Sequence, residues 1–246
     1  MRGCFITFEG GEGVGKSTQI SRLAERLEGL GREVVLLREP GSTHIGEQVR
    51  QILLDMDNCD IDPICELLLY EASRAQMVNQ TVIPAVESGK VVLCDRFTDS
   101  TMAYQGYARG LGRNIVRAAN KVACGDLVPD RTILLERNTS VSLELARSCG
   151  GADRLESEPE EFHDKVHAAF RSIAAHDPDR VRAVAVADDI DETERRVWAE
   201  VEDLFAEDVH GSASTGSEAA ATAESVESGD ANSQNGGASD PAGGGR

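Results

Sequence analysis

The stretch Phe5-Ile6-Thr7-Phe8-Glu9-Gly10-Gly11-Glu12-Gly13-Val14-Gly15-Lys16-Ser17 decides the fold. An apolar run of strand type passes straight into GxxxxGK[ST], here Gly10 to Ser17, and a helical pattern starts near Lys16. Each element has a chemical reason. Small residues let backbone N–H groups curl around phosphate oxygens, and the N-terminus of a helix adds a positive dipole. Lys16 then reaches the β- and γ-phosphates of a nucleoside triphosphate, and the Ser17 hydroxyl serves Mg²⁺. Gly10, Gly11, Glu12, Gly13, Val14, Gly15, Lys16, Ser17 and the adjoining Thr18 form the expected cradle, with ATP and Mg²⁺ as the expected cofactors.

Beyond this loop, short apolar runs alternate with longer helical patterns, as in βα units that build a parallel sheet. Strands are expected near Cys4 to Phe8, Glu33 to Leu37, Val91 to Cys94, Thr132 to Leu135 and Val181 to Val186. Helices are expected over Lys16 to Leu30, His44 to Leu54, Asp62 to Ser88 with a break around Pro84, Ser100 to Ala108, Asn114 to Ala123, Ser140 to Ser148, Glu158 to Ala174 and Asp191 to Phe205. The fold class is α/β, a five-stranded parallel sheet flanked by helices. No NKxD follows the middle strand, which argues against a GTPase. The strand Val91 to Cys94 ends in Asp95-Arg96. Asp95 suits the Mg²⁺ shell and Arg96 suits a second anion in the same cleft. Two phosphates facing each other describe a nucleotide kinase.

At this point the residues resemble the thymidylate kinase family of P-loop nucleoside monophosphate kinases over nearly all of residues 3 to 205. Five segments carry the resemblance in order: Phe8 to Gln19, Arg38 to Thr43, Leu67 to Gln76, Asp95 to Gly106 and Asp153 to Glu156. The resemblance implies transfer of the ATP γ-phosphoryl group to dTMP, giving dTDP, in a homodimer. It implies that Glu12 accepts a hydrogen bond from the 3′-hydroxyl of the acceptor sugar; a P-loop spacer is the alternative. It also implies that Tyr70 stacks on thymine and Arg74 donates to its O4, the two sharing one helix face at a spacing of four. The alternative is a core tyrosine and a surface salt bridge. Arg96 looks like the clamp on the acceptor 5′-phosphate, with an ion pair to Asp95 as the alternative. Ser100, Tyr104 and Gln105 would contact the nucleoside, Tyr104 crowding the 2′ position. Arg50 would add a phosphate contact or be a solvated helix residue. Lys16, Asp95, Arg96 and the lid residue Arg154 would serve catalysis, with Ser17 and Asp95 toward the metal. The acceptor oxygen is already ionised, so no general base is expected.

The chain also departs from the family. Gly13 stands where one group of members has arginine, and members without it usually have a basic lid. The lid, about 147–158, has only Arg147 and Arg154, and Cys149 stands where a cation is expected. Ser73 replaces the usual Asp or Asn, and Glu136-Arg137-Asn138 replaces an Asp-Val followed by proline. A divergent paralogue that binds nucleotide with little turnover, or a kinase for another nucleoside or monophosphate, is the alternative these departures raise.

The 246 residues carry a net charge of −18, which argues against partners such as duplex nucleic acid or an anionic membrane. The cations are 21 Arg and only 4 Lys. That balance suits a halophilic protein, since about 1 M ions shrink the Debye length to roughly 3 Å; an acidic mesophilic protein is the plainer reading. The six cysteines form no CxxC pairs and read as reduced thiols. No apolar run is long enough to cross a bilayer, and a cytoplasmic protein is expected. Residues 1–205 are the expected domain. Residues 206–246 are poor in large apolar side chains and read as a disordered acidic tail.

Overall fold

A computed structural model of the chain describes residues 3–148 and 153–206; lid residues 149–152, including Cys149, and the expected tail from 207 onward lie outside the described residues. Five parallel strands pair in the order β2-β3-β1-β4-β5. They are β1 (Cys4–Glu9), β2 (Val34–Arg38), β3 (Val91–Asp95), β4 (Arg131–Glu136) and β5 (Val181–Ala185). All five begin and end within one residue of the sequence expectation. Helices cover both faces, which is why β1 is buried at all six positions, Thr7 and Glu9 included.

The two-residue period of a strand divides the core. Ile6, Phe8, Leu93 and Ile133 pack with Leu23 and Leu27 of α1 (Lys16–Gly29). Phe5, Val92 and Cys94 belong to a second cluster with Met77, Val78 and Val82. Leu27 is fully buried, so its truncation to alanine would cost about 2–5 kcal/mol.

The helices start where local chemistry caps them. The Thr43 hydroxyl accepts from Gly46 N–H at 2.9 Å before α2 (His44–Leu54). Asp62 Oδ1 accepts from Ile64 N–H at 2.8 Å before α3 (Pro63–Met77), whose first residue is a proline with no N–H to satisfy. The long helix expected to break at Pro84 instead widens earlier, into a π turn at Val78–Val82, before α4 (Ile83–Glu87). Pro84 then falls in the first turn of α4, directly after the π turn that interrupts the regular helical ladder. The helix expected from Ser100 begins at Thr98 as α5 (Thr98–Thr101) and opens into a second π segment, Met102–Ala108. There follow α6 (Arg113–Cys124), α7 (Thr139–Ser148), α8 (Glu160–His176) and α9 (Ile190–Ala199). The helix expected to run to Phe205 ends at Ala199, and Glu202–Phe205 is a separate 3₁₀ turn.

Register places the site. Phe8 pairs with Asp95 and Glu9 with Leu134, so the carboxyl ends of β1, β3 and β4 finish together. The chain leaves the central strand β1 and returns to it from both sides, and such a switch point is where open α/β sheets bind ligands.

Candidate active site

The loop between β1 and α1 needs glycine at two positions for plain reasons. Gly10 has φ 133°, and a Cβ there would lie 2.5 Å from the Leu135 carbonyl. Gly15 has φ 94° at the entry to α1, in the left-handed region that side chains avoid. Lys16 is buried and folds over the loop, donating to Gly11 O at 2.8 Å and Gly10 O at 3.3 Å. Burial lowers its pKa, and Arg96 nearby adds to that. Ser17 Oγ lies 3.4 Å from Asp95 Oδ2, while buried Asp95 Oδ1 has no hydrogen-bond partner among the described residues. An alcohol in the first turn of α1 and an under-satisfied carboxylate at the end of β3 are the oxygen donors Mg²⁺ takes, with its other positions left to phosphate and water. These residues fit the ion.

Beside the loop lies a cavity of about 500 Å³ whose wall includes Glu12, Lys16, Ser17, Arg50, Tyr70, Arg74, Asp95, Arg96, Ser100, Tyr104 and Gln105. Gly13, Gly15 and Thr18 also reach it. Most residues expected for acceptor, metal and phosphate contacts thus converge; Gly10 and Gly11 are not on the wall but accept from Lys16 through their carbonyls, and Val14 is buried in the core. Arg154 is absent from the wall. Its Nε donates to Leu53 O at 2.8 Å, and its Nη2 lies 2.6 Å from Glu66 Oε2, close as charges but without hydrogen-bond alignment. In this structure Arg154 faces buried Glu66 and not the cavity. The side chain of Arg147 is outside the described residues.

Arg96 carries a φ of 72°, rare for a side-chain-bearing residue. Its partner is not Asp95. Nη2 donates to Glu12 Oε1 at 2.6 Å, and Nη1 to Gly10 O at 3.0 Å and Ser100 Oγ at 3.3 Å. The Tyr104 hydroxyl donates to the same Glu12 Oε1 at 3.0 Å. Burial opposes the charge on Glu12, yet Arg96, Lys16 and Tyr104 outweigh it and hold the carboxyl down at about 2. Glu12 is therefore an ionised acceptor at the cavity wall, more than a spacer.

Glu9, at the end of β1, holds the turn that strains Arg96. Its Oε1 accepts from Phe97 N–H at 2.8 Å and Ser100 N–H at 3.2 Å, and its Oε2 from Ser100 Oγ at 2.6 Å. Burial, helped by the Asp99 carboxylate, raises the pKa of Glu9 to about 8. Two glutamates three residues apart thus sit at opposite ends of the carboxylate range.

Tyr70 and Arg74 do share one face of α3 and both reach the cavity. Arg74 is 1% exposed, so it is no surface salt bridge. Its Nε and Nη2 hold Glu39 at 2.9 and 2.5 Å, its Nη1 holds Glu71 at 2.6 Å and Asn120 at 2.8 Å, and Nη2 also donates to Phe97 O at 3.1 Å. Burial works against this cation, but the two glutamates outweigh it and raise its pKa. All five N–H groups are engaged, so a base oxygen could meet Arg74 only by sharing one. Arg50 donates to Pro40 O at 2.9 Å from the cavity wall. Glu39–Pro40 is a cis peptide at that wall.

The family departures have local explanations. Ser73 is fully buried and its hydroxyl accepts from Gly41 N–H at 3.1 Å, fixing the Arg38–Thr43 loop. Asn138 Oδ1 accepts from Ser140 N–H at 3.1 Å, satisfying an orphan donor at the start of α7.

The family model described as thymidylate kinase matches residues 8–197. The chain is 47% identical over 205 residues to the thymidylate kinase of Pelobacter propionicus, covering 81% of this chain and 94% of that one. It is 42% identical over 200 residues to the thymidylate kinase of Deinococcus radiodurans, covering 81% and 97%. Among solved structures it resembles thymidylate kinase from Ehrlichia chaffeensis, with a TM-score of 0.66, 31% identity, and coverage of 82% of this chain and 99% of that one.

Proposed function

The chain belongs to the thymidylate kinase family, and from that membership we propose how its own residues perform the transfer of a phosphoryl group from ATP to dTMP, giving dTDP. The observation that carries the assignment of roles is that Lys16 and Arg96 line one cavity, Lys16 from the P-loop and Arg96 from the turn after β3. Lys16 turns from the Gly10 and Gly11 carbonyls to the donor β- and γ-phosphates. Arg96 holds the acceptor 5′-phosphate, where a planar fork meets two oxygens. Glu12 accepts from the 3′-hydroxyl through Oε2, because Oε1 is already taken by Arg96 and Tyr104. Tyr104 closes the 2′ side, Ser100 and Gln105 contact the nucleoside, Arg50 adds a cation, Tyr70 stacks on the base, and Arg74 shares an N–H with its O4.

Ser17 and Asp95 would hold Mg²⁺, which would supply neutralisation of phosphate charge. The protein's part is electrostatic: it brings two anions together and excludes water, and with an ionised acceptor it needs no general base. Arg154 takes no part in the arrangement described. A homodimer is supported by apolar side chains exposed on the adjacent helices α2 and α3, Ile45 and Ile52 on one and Ile64 and Leu68 on the other. The low lysine content and net charge of −18 support a halophilic protein working at high salt. A cytoplasmic site of action fits the substrates; no helix among the described residues is long and apolar enough to cross a membrane.

A coupled assay with ATP, Mg²⁺ and a panel of dTMP, dUMP, dCMP, AMP and thymidine tests the reading. Turnover should be highest with dTMP. Equal turnover across the panel, or none with dTMP despite ATP binding, would defeat it.

A further inference from the structure

A glutamine amide has a donor edge and an acceptor edge, and the edge facing a ligand decides what the ligand can be. Gln105 is 1% exposed, lies in the Met102–Ala108 segment and lines the cavity. Its Nε2 donates to Glu66 Oε1 at 2.8 Å. Glu66 is also 1% exposed, one turn before Tyr70 on α3. Two guanidinium groups face it: Arg109 Nε and Nη2 each approach at 3.3 Å, and Arg154 Nη2 at 2.6 Å. Burial opposes the charge, but Gln105, Arg109 and Arg154 together lower the pKa of Glu66. An ionised carboxylate offers acceptors only, so only the NH₂ edge of Gln105 can face it. No hydrogen bond to Gln105 Oε1 is found among the described residues.

We propose that Glu66 is a positioning residue that locks the Gln105 amide with its oxygen toward the acceptor base, so that pyrimidine choice is set by a carboxylate that never touches the nucleotide. The inference rests on the dTMP reading above. Thymine presents an N3–H donor and cytosine an N3 lone pair. An inward Oε1 accepts from the first and repels the second, and a flipped amide would do the reverse. Rejection through an unmatched polar edge is a stronger filter than shape, because the penalty falls on the wrong base alone.

The test is calorimetric binding of dTMP, dCMP and ATP to the full chain, wild type and variants, with melting curves alongside. Glu66→Gln can present either edge and frees the amide. The dTMP-to-dCMP affinity ratio should shrink about tenfold, the worth of one well-placed hydrogen bond, while ATP affinity holds. Gln105→Met should shrink the ratio similarly with the charge cluster intact, and the double variant should be no less selective than Gln105→Met alone. Should Glu66→Gln fail to fold, Glu66→Asp keeps the charge for both arginines while withdrawing the oxygen from Gln105, and the same shrinkage is expected. An unchanged ratio in the Glu66 variants or in Gln105→Met overturns the proposal, as does further loss in the double variant. A wild type that binds dCMP as tightly as dTMP would instead sink the dTMP reading, and this inference with it.

Discussion

Of the arginine–carboxylate clusters that adjoin the acceptor cavity, those around Arg96 and Glu66 differ in what they leave free. Around Arg96, the partners Glu12 and Tyr104 stand on the wall, and Glu12 keeps one oxygen unpaired. Around Glu66, the partners Arg109 and Arg154 turn inward, and of that cluster only Gln105 reaches the wall. The first cluster is built to be completed by a ligand. The second faces away from the cavity and acts on the ligand through another side chain. The same residue types thus serve binding or positioning according to whether a free polar atom faces the cavity, which a list of charged residues does not reveal.

If that contrast holds, the largest stability effect belongs to the second cluster. Glu66→Ala leaves two partly buried guanidinium groups facing each other, and breaking a buried pair costs about 3–5 kcal/mol. Thermal unfolding should show it, and a loss below 1 kcal/mol would mean that the cluster is solvated. The largest catalytic effect belongs to the first: Arg96→Ala should lower kcat/KM for dTMP by about 10²–10³ while sparing KM for ATP, as steady-state kinetics would read.

Acidity separates Glu9 and Glu12 within the first cluster. Glu9, raised to about 8, contributes stability fully present below the unfolded value near 4.5 and lost as pH rises through 8. Glu12, held at about 2, contributes stability present above 4.5 and lost as pH falls through 2. Glu9→Gln should therefore flatten the alkaline limb of a stability–pH profile and Glu12→Gln the acid limb. Both limbs unchanged would contradict the assignment.

The smallest effect expected is that of salt. The net charge of −18 repels nucleotides at long range, so raising KCl should lower KM for ATP and dTMP by a few-fold through screening. A steady rise in KM with salt would point to local cations instead.

The fold was legible because its signals are local. Strand runs and the phosphate loop are contiguous, and helix starts carry their own caps, as at Thr43 and Asp62. Pro84 marked a real interruption but not its form, since a π turn at Val78–Val82 leaves no residue signature. The site was legible in membership and less so in pairing. Arg96 meets Glu12 across 84 positions rather than its neighbour Asp95, and Arg154 meets Glu66 across 88 rather than entering the cleft. Such pairings are set by tertiary packing, which spacing along the chain does not encode. Glu9 and Glu66 went unassigned for the same reason: their partners lie in other segments.

The central claim is that Arg96 clamps the acceptor phosphate in this cavity. Calorimetric binding of dTMP and of thymidine, which lacks the phosphate, to wild type and to Arg96→Ala tests it most directly. The account predicts that wild type prefers dTMP strongly and that the variant binds the two about equally. A variant that kept the full preference for dTMP would place the phosphate elsewhere and contradict the account.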